Sequence, residues 1–562
     1  MLYNIFIIFF IINIEHNANA AEDILVQLPI GQIRGGTRKT ITGTNLYYFQ
    51  GVPFAEPPIN ELRFQAPRPK LPWEGIWDAT QERSYCYQMT SATPDGNEDC
   101  LFINIFTPQK PSLNGSLPVM FFIYGGGFIE GASVEINYGP DHFMDYGVII
   151  VTFNYRVGPF GFFSTGDDVI PGNNGLKDQL LALKWTNQYI KYFGGDPNKI
   201  TIFGQSAGAA SVTYHILSPK SKGLFKAAIC QSGSALSAWA YQDNQKNISY
   251  RLASFVEPEF DIHNASSMEV YQYFENVPAE VIDRASHRLY KLENPADLQI
   301  VQGFYFAPVV ENEHEDAFIT KPMYEIWKSG EVNNVPLLSG VNTEESLFYT
   351  DSDGSTEAYA ADPLLLIPRG MHLRKKAEKV VAESIRHFYC NNGSFLENPR
   401  QLIKYFSDQS FARSIIETAR LHSRVGDVFF YQFAYHGVLG GQTDKSVEGF
   451  SEDVRHGEEI SYLFRRNYGG LNTTDLTKYP EMDQIVQKRM IKMFTDFAKY
   501  STPTPEPIDL LQNLTWPKVK PDNFQYLDIG SYLEIKRNPK DVMFKEWKKL
   551  FSKYGVPPFY TY

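Results

Sequence analysis

Gly204-Gln205-Ser206-Ala207-Gly208 sets a serine between two glycines where an apolar run, Ile200-Thr201-Ile202-Phe203, meets a helix-forming one, Ala209-Ala210-Ser211-Val212. A hydroxyl held on a strand-to-helix turn of this kind projects above a sheet, where it can attack a carbonyl carbon. Glycine at 204 and 208 lets strand and helix come close enough to sharpen the turn. A serine hydroxyl alone is a poor nucleophile. Acyl transfer needs a base to take its proton and N–H donors to hold the oxyanion that forms. Donors are available in Gly125-Gly126-Gly127-Phe128, which ends the run Leu117 to Tyr124. Its backbone N–H groups can turn inward because no side chain obstructs them.

These groups need a rigid frame. Short β-branched and aromatic runs alternate with helical patterns, which is the signature of an α/β fold with a largely parallel sheet. Leu117 to Tyr124, Val148 to Tyr155, Ile200 to Phe203, Leu224 to Cys230, Val335 to Leu338 and Val428 to Ala434 read as core strands. Gln179 to Phe193, Ser206 to Leu217, Glu383 to Cys390 and Asp483 to Tyr500 have helical spacing. Phe544 to Leu550 forms an amphipathic helix with lysines outward, read as a cap on the core. With no repeat, low-complexity tract or long linker, residues 21–562 read as one domain. Long insertions such as 240–330 and 350–425 are expected to wall a gorge. The acidic stretch Glu311-Asn312-Glu313-His314-Glu315-Asp316 lacks cation-ligand spacing and reads as a solvated loop.

Of 562 residues, 64 are acidic and 52 basic, a formal charge of -12. Such a surface repels a phosphate backbone, so nucleic acid is not an expected partner. Ile5 to Ile12 is apolar but too short to span a bilayer, and Ala18-Asn19-Ala20 suits signal peptidase. Residues 1–20 are therefore read as a signal peptide, despite the absence of Lys and Arg in Met1 to Asn4. No later run is long enough for a span and the C-terminus has no anchor pattern, so a secreted protein is expected. Sequons at Asn114, Asn247, Asn264, Asn392, Asn472 and Asn513 fit export, each in a polar stretch where a glycan could sit. Four cysteines permit three pairings if all are bridged; the polar, turn-rich stretch between Cys86 and Cys100 suits a local clip. Cys230 and Cys390 end apolar runs and read as buried free thiols.

From about Val26 to the C-terminal helix the chain resembles a type-B carboxylesterase of the carboxylesterase/cholinesterase family, within the α/β-hydrolase fold. Tyr48-Phe49-Gln50-Gly51-Val52-Pro53-Phe54-Ala55-Glu56-Pro57-Pro58 is similar to the family's N-terminal block, and Glu98-Asp99-Cys100-Leu101-Phe102-Ile103-Asn104-Ile105 to its second signature. Asn154-Tyr155-Arg156-Val157-Gly158, Gly175-Leu176-Lys177-Asp178-Gln179, Phe193-Gly194-Gly195-Asp196-Pro197 and Gln231-Ser232-Gly233 also match. The resemblance implies Ser206 as nucleophile and the N–H groups of Gly126, Gly127 and Ala207 as oxyanion donors. Glu345, in Gly340-Val341-Asn342-Thr343-Glu344-Glu345-Ser346, matches the acid, although the last position is serine where the family has glycine. His456, in His456-Gly457-Glu458-Glu459, matches the base. Arg63 with Glu98, and Arg156 with Asp178, match the family's buried ion pairs.

The implied chemistry is ester hydrolysis through an acyl-enzyme, with no metal or organic cofactor and a small-molecule ester as partner. Gln205 is familiar in the elbow of insect juvenile hormone esterases. A cholinesterase needs a tryptophan face and a carboxylate for the quaternary ammonium. The Cys86–Cys100 loop offers Tyr87 but no tryptophan, and Gln205 is neutral. Trp239 matches the acyl-pocket wall, and with Phe304 and Phe348 it is expected to make the pocket apolar and suited to neutral esters. The competing reading is a silent adhesion or ester-binding member of the family; intact triad positions weigh against it.

Overall fold

The computed structural model describes residues 24–90, 93–294, 303–348, 355–391, 393–441, 453–468 and 470–562. The segment read as a signal peptide, and the sequon at Asn392, lie outside them.

A 13-stranded mixed sheet runs through the molecule. Its N-terminal strands are β1 (Ile24–Leu28), β2 (Gly31–Lys39), β3 (Asn45–Pro53), β4 (Ile76–Asp78) and β5 (Phe102–Thr107). The six strands expected from apolar runs follow as β6 (Leu117–Ile123), β7 (Ile149–Phe153), β8 (Gly195–Gln205), β9 (Ala227–Gln231), β10 (Leu337–Asn342) and β11 (Val428–Phe433). β12 (Gln525–Ile529) and β13 (Leu533–Arg537) complete the sheet. The order is β1-β2-β3-β5-β7-β6-β8-β9-β10-β11-β12-β13, with β4 beside β2. From β7 to β12 every pairing is parallel; at the flanks β1, β2, β3, β5 and β13 pair antiparallel.

Burial explains this division. The central strands are covered on both faces, so β7 (Ile-Ile-Val-Thr-Phe) is buried at every position. Edge strand β1 alternates, with Ile24 buried and Leu25 exposed. Three central strands depart clearly from their expected bounds, β8 running from Gly195 to Gln205 around the apolar run Ile200 to Phe203. β9 starts at Ala227, not Leu224, and β10 starts at Leu337 and continues past the apolar run through Ser339 and Gly340 to Asn342. Gly340 sits against the Tyr431 ring, where a Cβ would come within 2.3 Å.

The helices also extend beyond their expected cores. α1 (Asn174–Tyr189) starts earlier than Gln179, and its last turn, Ile190–Phe193, tightens to a 3-10 helix. α2 (Ala207–Leu217) follows the elbow and packs on the sheet, as does α4 (Glu481–Tyr500), while α3 (Lys375–Cys390) and α5 (Asp541–Tyr554) pack against each other. In α5, Phe544, Trp547, Leu550 and Phe551 face inward. Trp547 donates to the Tyr389 hydroxyl at 3.0 Å and Arg413 stacks 4.5 Å from its ring, so the helix caps the core as its pattern predicts. Among the described residues no helix is long and apolar enough to cross a membrane.

Cys86 and Cys100 are joined, Cys230 is buried and free, and Cys390 is free but only half-buried at the end of α3, contrary to expectation. Arg63 and Glu98 approach to 2.6 Å, and Arg156 and Asp178 to 2.7 Å. The acidic stretch needs one correction. Glu311 is buried, 2.6 Å from Lys177 Nζ, and accepts from Asn173 Nδ2 and the Phe318 N–H, so it anchors the loop; Glu313, Glu315 and Asp316 are exposed.

Candidate active site

Parallel register brings the C-terminal ends of β8, β9, β10 and β11 side by side: Gln205 pairs with Gln231, Gln231 with Gly340, and Gly340 with Tyr431. The crevice beyond such ends is the usual ligand site of an open α/β sheet. Ser206 stands there at φ 58°, ψ -125°, a conformation that costs a non-glycine residue about 1–3 kcal/mol. Close packing enforces it. A Cβ on Gly204 would lie 2.5 Å from the Gly208 carbonyl carbon, and one on Gly208 would lie 2.0 Å from Ile123 O. The Ser206 N–H donates to Gln231 O at 2.9 Å, tying the elbow to β9.

The glycine loop after β6 lies over the serine. A Cβ on Gly125 would come within 2.9 Å of Ser206 Cβ. Gly126 O accepts from the N–H groups of Ile129 and Glu130, each at 3.0 Å. That carbonyl shares a planar trans peptide with the Gly127 N–H, so holding it outward turns the N–H the opposite way. Among the described residues the N–H groups of Gly126 and Gly127 have no acceptor. Ala207 opens α2, so its N–H lacks an intrahelical partner. The N–H groups of Gly126 and Gly127, in the loop over Ser206, and of Ala207, next to it in the chain, thus remain without an acceptor among the described residues.

Glu345 and His456 come from loops after β10 and β11. Glu345 Oε2 lies 2.7 Å from His456 Nδ1, and the His456 N–H donates to Glu345 O at 3.0 Å. Oε1 accepts from the Asn342 N–H at 2.7 Å and from Ser232 Oγ at 2.6 Å. Serine at 346, where the family has glycine, does not disturb the turn; its N–H donates to Ser407 Oγ at 2.9 Å. Glu459 is fully buried behind this pair, accepting from Asn342 Nδ2 at 2.7 Å and Gln231 Nε2 at 3.4 Å. Burial first, and the Glu345 charge second, push its carboxyl up to about 7. Glu459 is thereby biased toward its neutral form, while Glu345 is hydrogen-bonded to the imidazole.

With Nδ1 directed at Glu345, His456 Nε2 presents a lone pair. It is met by Gln205 Nε2 at 3.0 Å, not by Ser206 Oγ, which makes no hydrogen bond among the described residues. Catalytic hydrogen bonds are often loose without substrate and tighten in the complex. Trp239 and Phe304 are buried beside the glycine loop, 6.1 Å apart edge to face, and the Phe304 ring covers Gly127. Phe348 differs from the enclosed wall residue expected, being 40% exposed with its ring 6.2 Å from His456. It lines a cavity of about 460 Å³ that also holds Tyr138, Gln205, Arg455, His456, Glu458 and Arg466, so this side of the site is not the apolar pocket expected.

Sequence reading missed Phe411, whose ring lies 4.5 Å from His456. It sits in a π-turn, Asp408–Ala412, whose Ser410 carbonyl accepts from Trp239 Nε1 at 2.7 Å. Nothing in the local sequence marks that turn. Ser232 and Glu459 had a signal, since both fall inside matched motifs, but no role had been read from them. Among the described residues no group of three His, Cys, Asp or Glu side chains is arranged to hold a metal ion.

A mostly parallel sheet with this elbow and these flanking helices defines the α/β-hydrolase fold. The family model described as "Carboxylesterase family" matches residues 22–547, and the chain belongs to that family. Venom carboxylesterase-6 of Apis mellifera is 34% identical over 535 residues, covering 90% of each chain. Juvenile hormone esterase of Tribolium castaneum is 32% identical over 548 residues, covering 90% of this chain and 88% of its own. The crystal structure of juvenile hormone esterase from Manduca sexta, with OTFP covalently attached, superposes with a TM-score of 0.82 at 27% identity, covering 94% of this chain and 100% of that one. The chain is a carboxylic ester hydrolase.

Proposed function

We propose that the chain is a secreted serine esterase that hydrolyses neutral carboxylic esters through an acyl-enzyme on Ser206. The observation that carries this reading is the 2.7 Å Glu345–His456 bond, with His456 Nε2 3.0 Å from Gln205, the residue before the elbow serine. His456 Nε2 exchanges Gln205 for Ser206 Oγ and takes its proton as Oγ bonds to the ester carbon. The oxyanion rests on the N–H groups of Gly126, Gly127 and Ala207 while Glu345 stabilises the imidazolium. Collapse breaks the ester C–O bond, and the departing oxygen receives the proton from His456. Water repeats the sequence, releasing the acid and restoring Ser206.

Secretion follows removal of residues 1–20, leaving the remainder as one unit. Asn114, Asn247, Asn264, Asn472 and Asn513, all exposed, are the glycan acceptors proposed together with Asn392. Trp239, Phe304 and Phe411 form an apolar wall for the acyl chain. A choline arm is disfavoured, because the cavity beside His456 holds two guanidinium groups and the elbow residue is the neutral Gln205. Juvenile hormone is a second substrate reading, favoured by the juvenile hormone esterases of Tribolium and Manduca among the relatives.

A panel of butyryl esters, with juvenile hormone beside them, tests both readings. The neutral-alcohol ester should have a higher kcat/KM than the choline ester at equal ionic strength. A clear preference for choline overturns this reading of the pocket.

A further inference from the structure

The cavity beside His456 is lined by three charged side chains that the reaction does not use, Arg455, Glu458 and Arg466. Arg455 Nε lies 3.2 Å from Glu458 Oε1, so that guanidinium is compensated. Arg466 is not. Its Nη1 reaches only Ser461 Oγ at 3.4 Å, its Nε is buried without an acceptor, and among the described residues no carboxylate is within ion-pair distance. Its sequence neighbour shows the contrast: Arg465 is fixed by Asp141 at 2.7 Å and by Glu135. A guanidinium nitrogen shielded from water and left without an acceptor is costly, and a planar fork of donors matches a carboxylate in two-point geometry.

The reaction geometry says which part of an ester enters here. The carbonyl is fixed between Ser206 and the glycine loop, and the acyl wall of Trp239, Phe304 and Phe411 takes one side. The leaving oxygen must face His456 to receive its proton, and His456 lines the cavity that holds Arg466. The cavity thus lies on the alcohol side of the ester, and we propose that Arg466 in it selects esters whose leaving arm carries a carboxylate. The inference rests on the acyl-transfer chemistry above and extends its substrate class beyond neutral esters: anionic arms above neutral ones, and neutral above cationic.

Matched butyrate esters of hydroxyalkanoic acids and of their uncharged amides, with arms of two to four carbons, test it. At low ionic strength the carboxylate member should have about tenfold higher kcat/KM for at least one arm length, and added salt should reduce that ratio. In R466Q the ratio should fall to about one, whereas R466K, which keeps the charge without the fork, should retain part of it. An arm ending in phosphate is the control for a general anion site; an equal advantage for it overturns the carboxylate assignment. A ratio of one or less at every length in the parent, or an undiminished ratio in R466Q, overturns the subsite. Calorimetric binding of the hydroxyalkanoates to S206A separates the two readings. If no butyrate ester is hydrolysed, the esterase reading alone is removed, and binding that is stronger than for the amides then supports the subsite. Equal binding of acid and amide overturns the subsite without touching the chemistry.

Discussion

Replacing Glu459 by glutamine should make stability relative to the parent rise with pH across the range from about 5 to 8. The folded chain holds this carboxyl in a fully buried place with two amide donors, beside the charge of Glu345. Its pKa rises from 4.5 to about 7. The native state therefore keeps a proton that the unfolded state gives up across that interval. Stability falls as pH rises from about 4.5 to 7 and is level above it. At ~1.4 kcal/mol per pKa unit, roughly 3 kcal/mol is linked to this one proton. Glutamine does not titrate, and any cost of pointing its NH2 group at Asn342 or Gln231 is the same at every pH. Other buried acids titrate alike in both proteins and cancel. Between pH 5 and pH 8 the stability of E459Q relative to the parent should improve by roughly 2–3 kcal/mol. Urea unfolding followed by tryptophan fluorescence at the two pH values measures it. Parallel profiles, with the difference constant within about 1 kcal/mol, would refute the claim that Glu459 is held neutral behind Glu345.

Gln205→Glu places a carboxylate beside His456 Nε2, favouring the protonated imidazole; the rising limb of kcat/KM should move up by about one pH unit, and an unmoved profile counts against the contact. Non-reducing peptide mapping should recover the Cys86–Cys100 pair, with Cys230 and Cys390 alkylated after denaturation without reductant. Serine at both bridged positions should lower stability by about 3 kcal/mol, given a separation of 14 residues. His215 is fully buried, and burial lowers its pKa from 6.5 to about 3. The unfolded chain gains a proton there below about pH 6.5 and the folded one does not, so stability falls by ~1.4 kcal/mol per pH unit on acidification. His215→Gln should flatten the loss of unfolding midpoint between pH 6.5 and 4.5, and an unchanged slope contradicts it.

The central strands were legible because each of β6 to β11 contains a short apolar run, and the turns after β6 and β8 carried the glycine loop and Ser206. The flanks were not legible for a physical reason: β2, Gly-Gln-Ile-Arg-Gly-Gly-Thr-Arg-Lys, offers no apolar run, and its place is set by pairing with β1 and β3. Glu345 and His456 are 111 residues apart in polar loops, where no local pattern marks them; only the resemblance to a family did. Arg466 was invisible for a related reason. A surface-type residue acquires meaning there only when the fold withholds the carboxylate that its neighbour Arg465 receives. Phe348, picked as an enclosed aromatic, stands half in solvent, because aromaticity alone does not say which side of a loop faces water.

The central claim is that Ser206 forms the acyl-enzyme. Incubating the protein with a fluorophosphonate, titrating residual butyryl ester hydrolysis, and mapping the label by peptide mass spectrometry tests it most directly. One label per chain, on Ser206, with activity lost in proportion, and S206A unlabelled with less than about a hundredth of the parent rate, is the predicted result. Label on another residue, or hydrolysis that persists when Ser206 is fully modified, would contradict it.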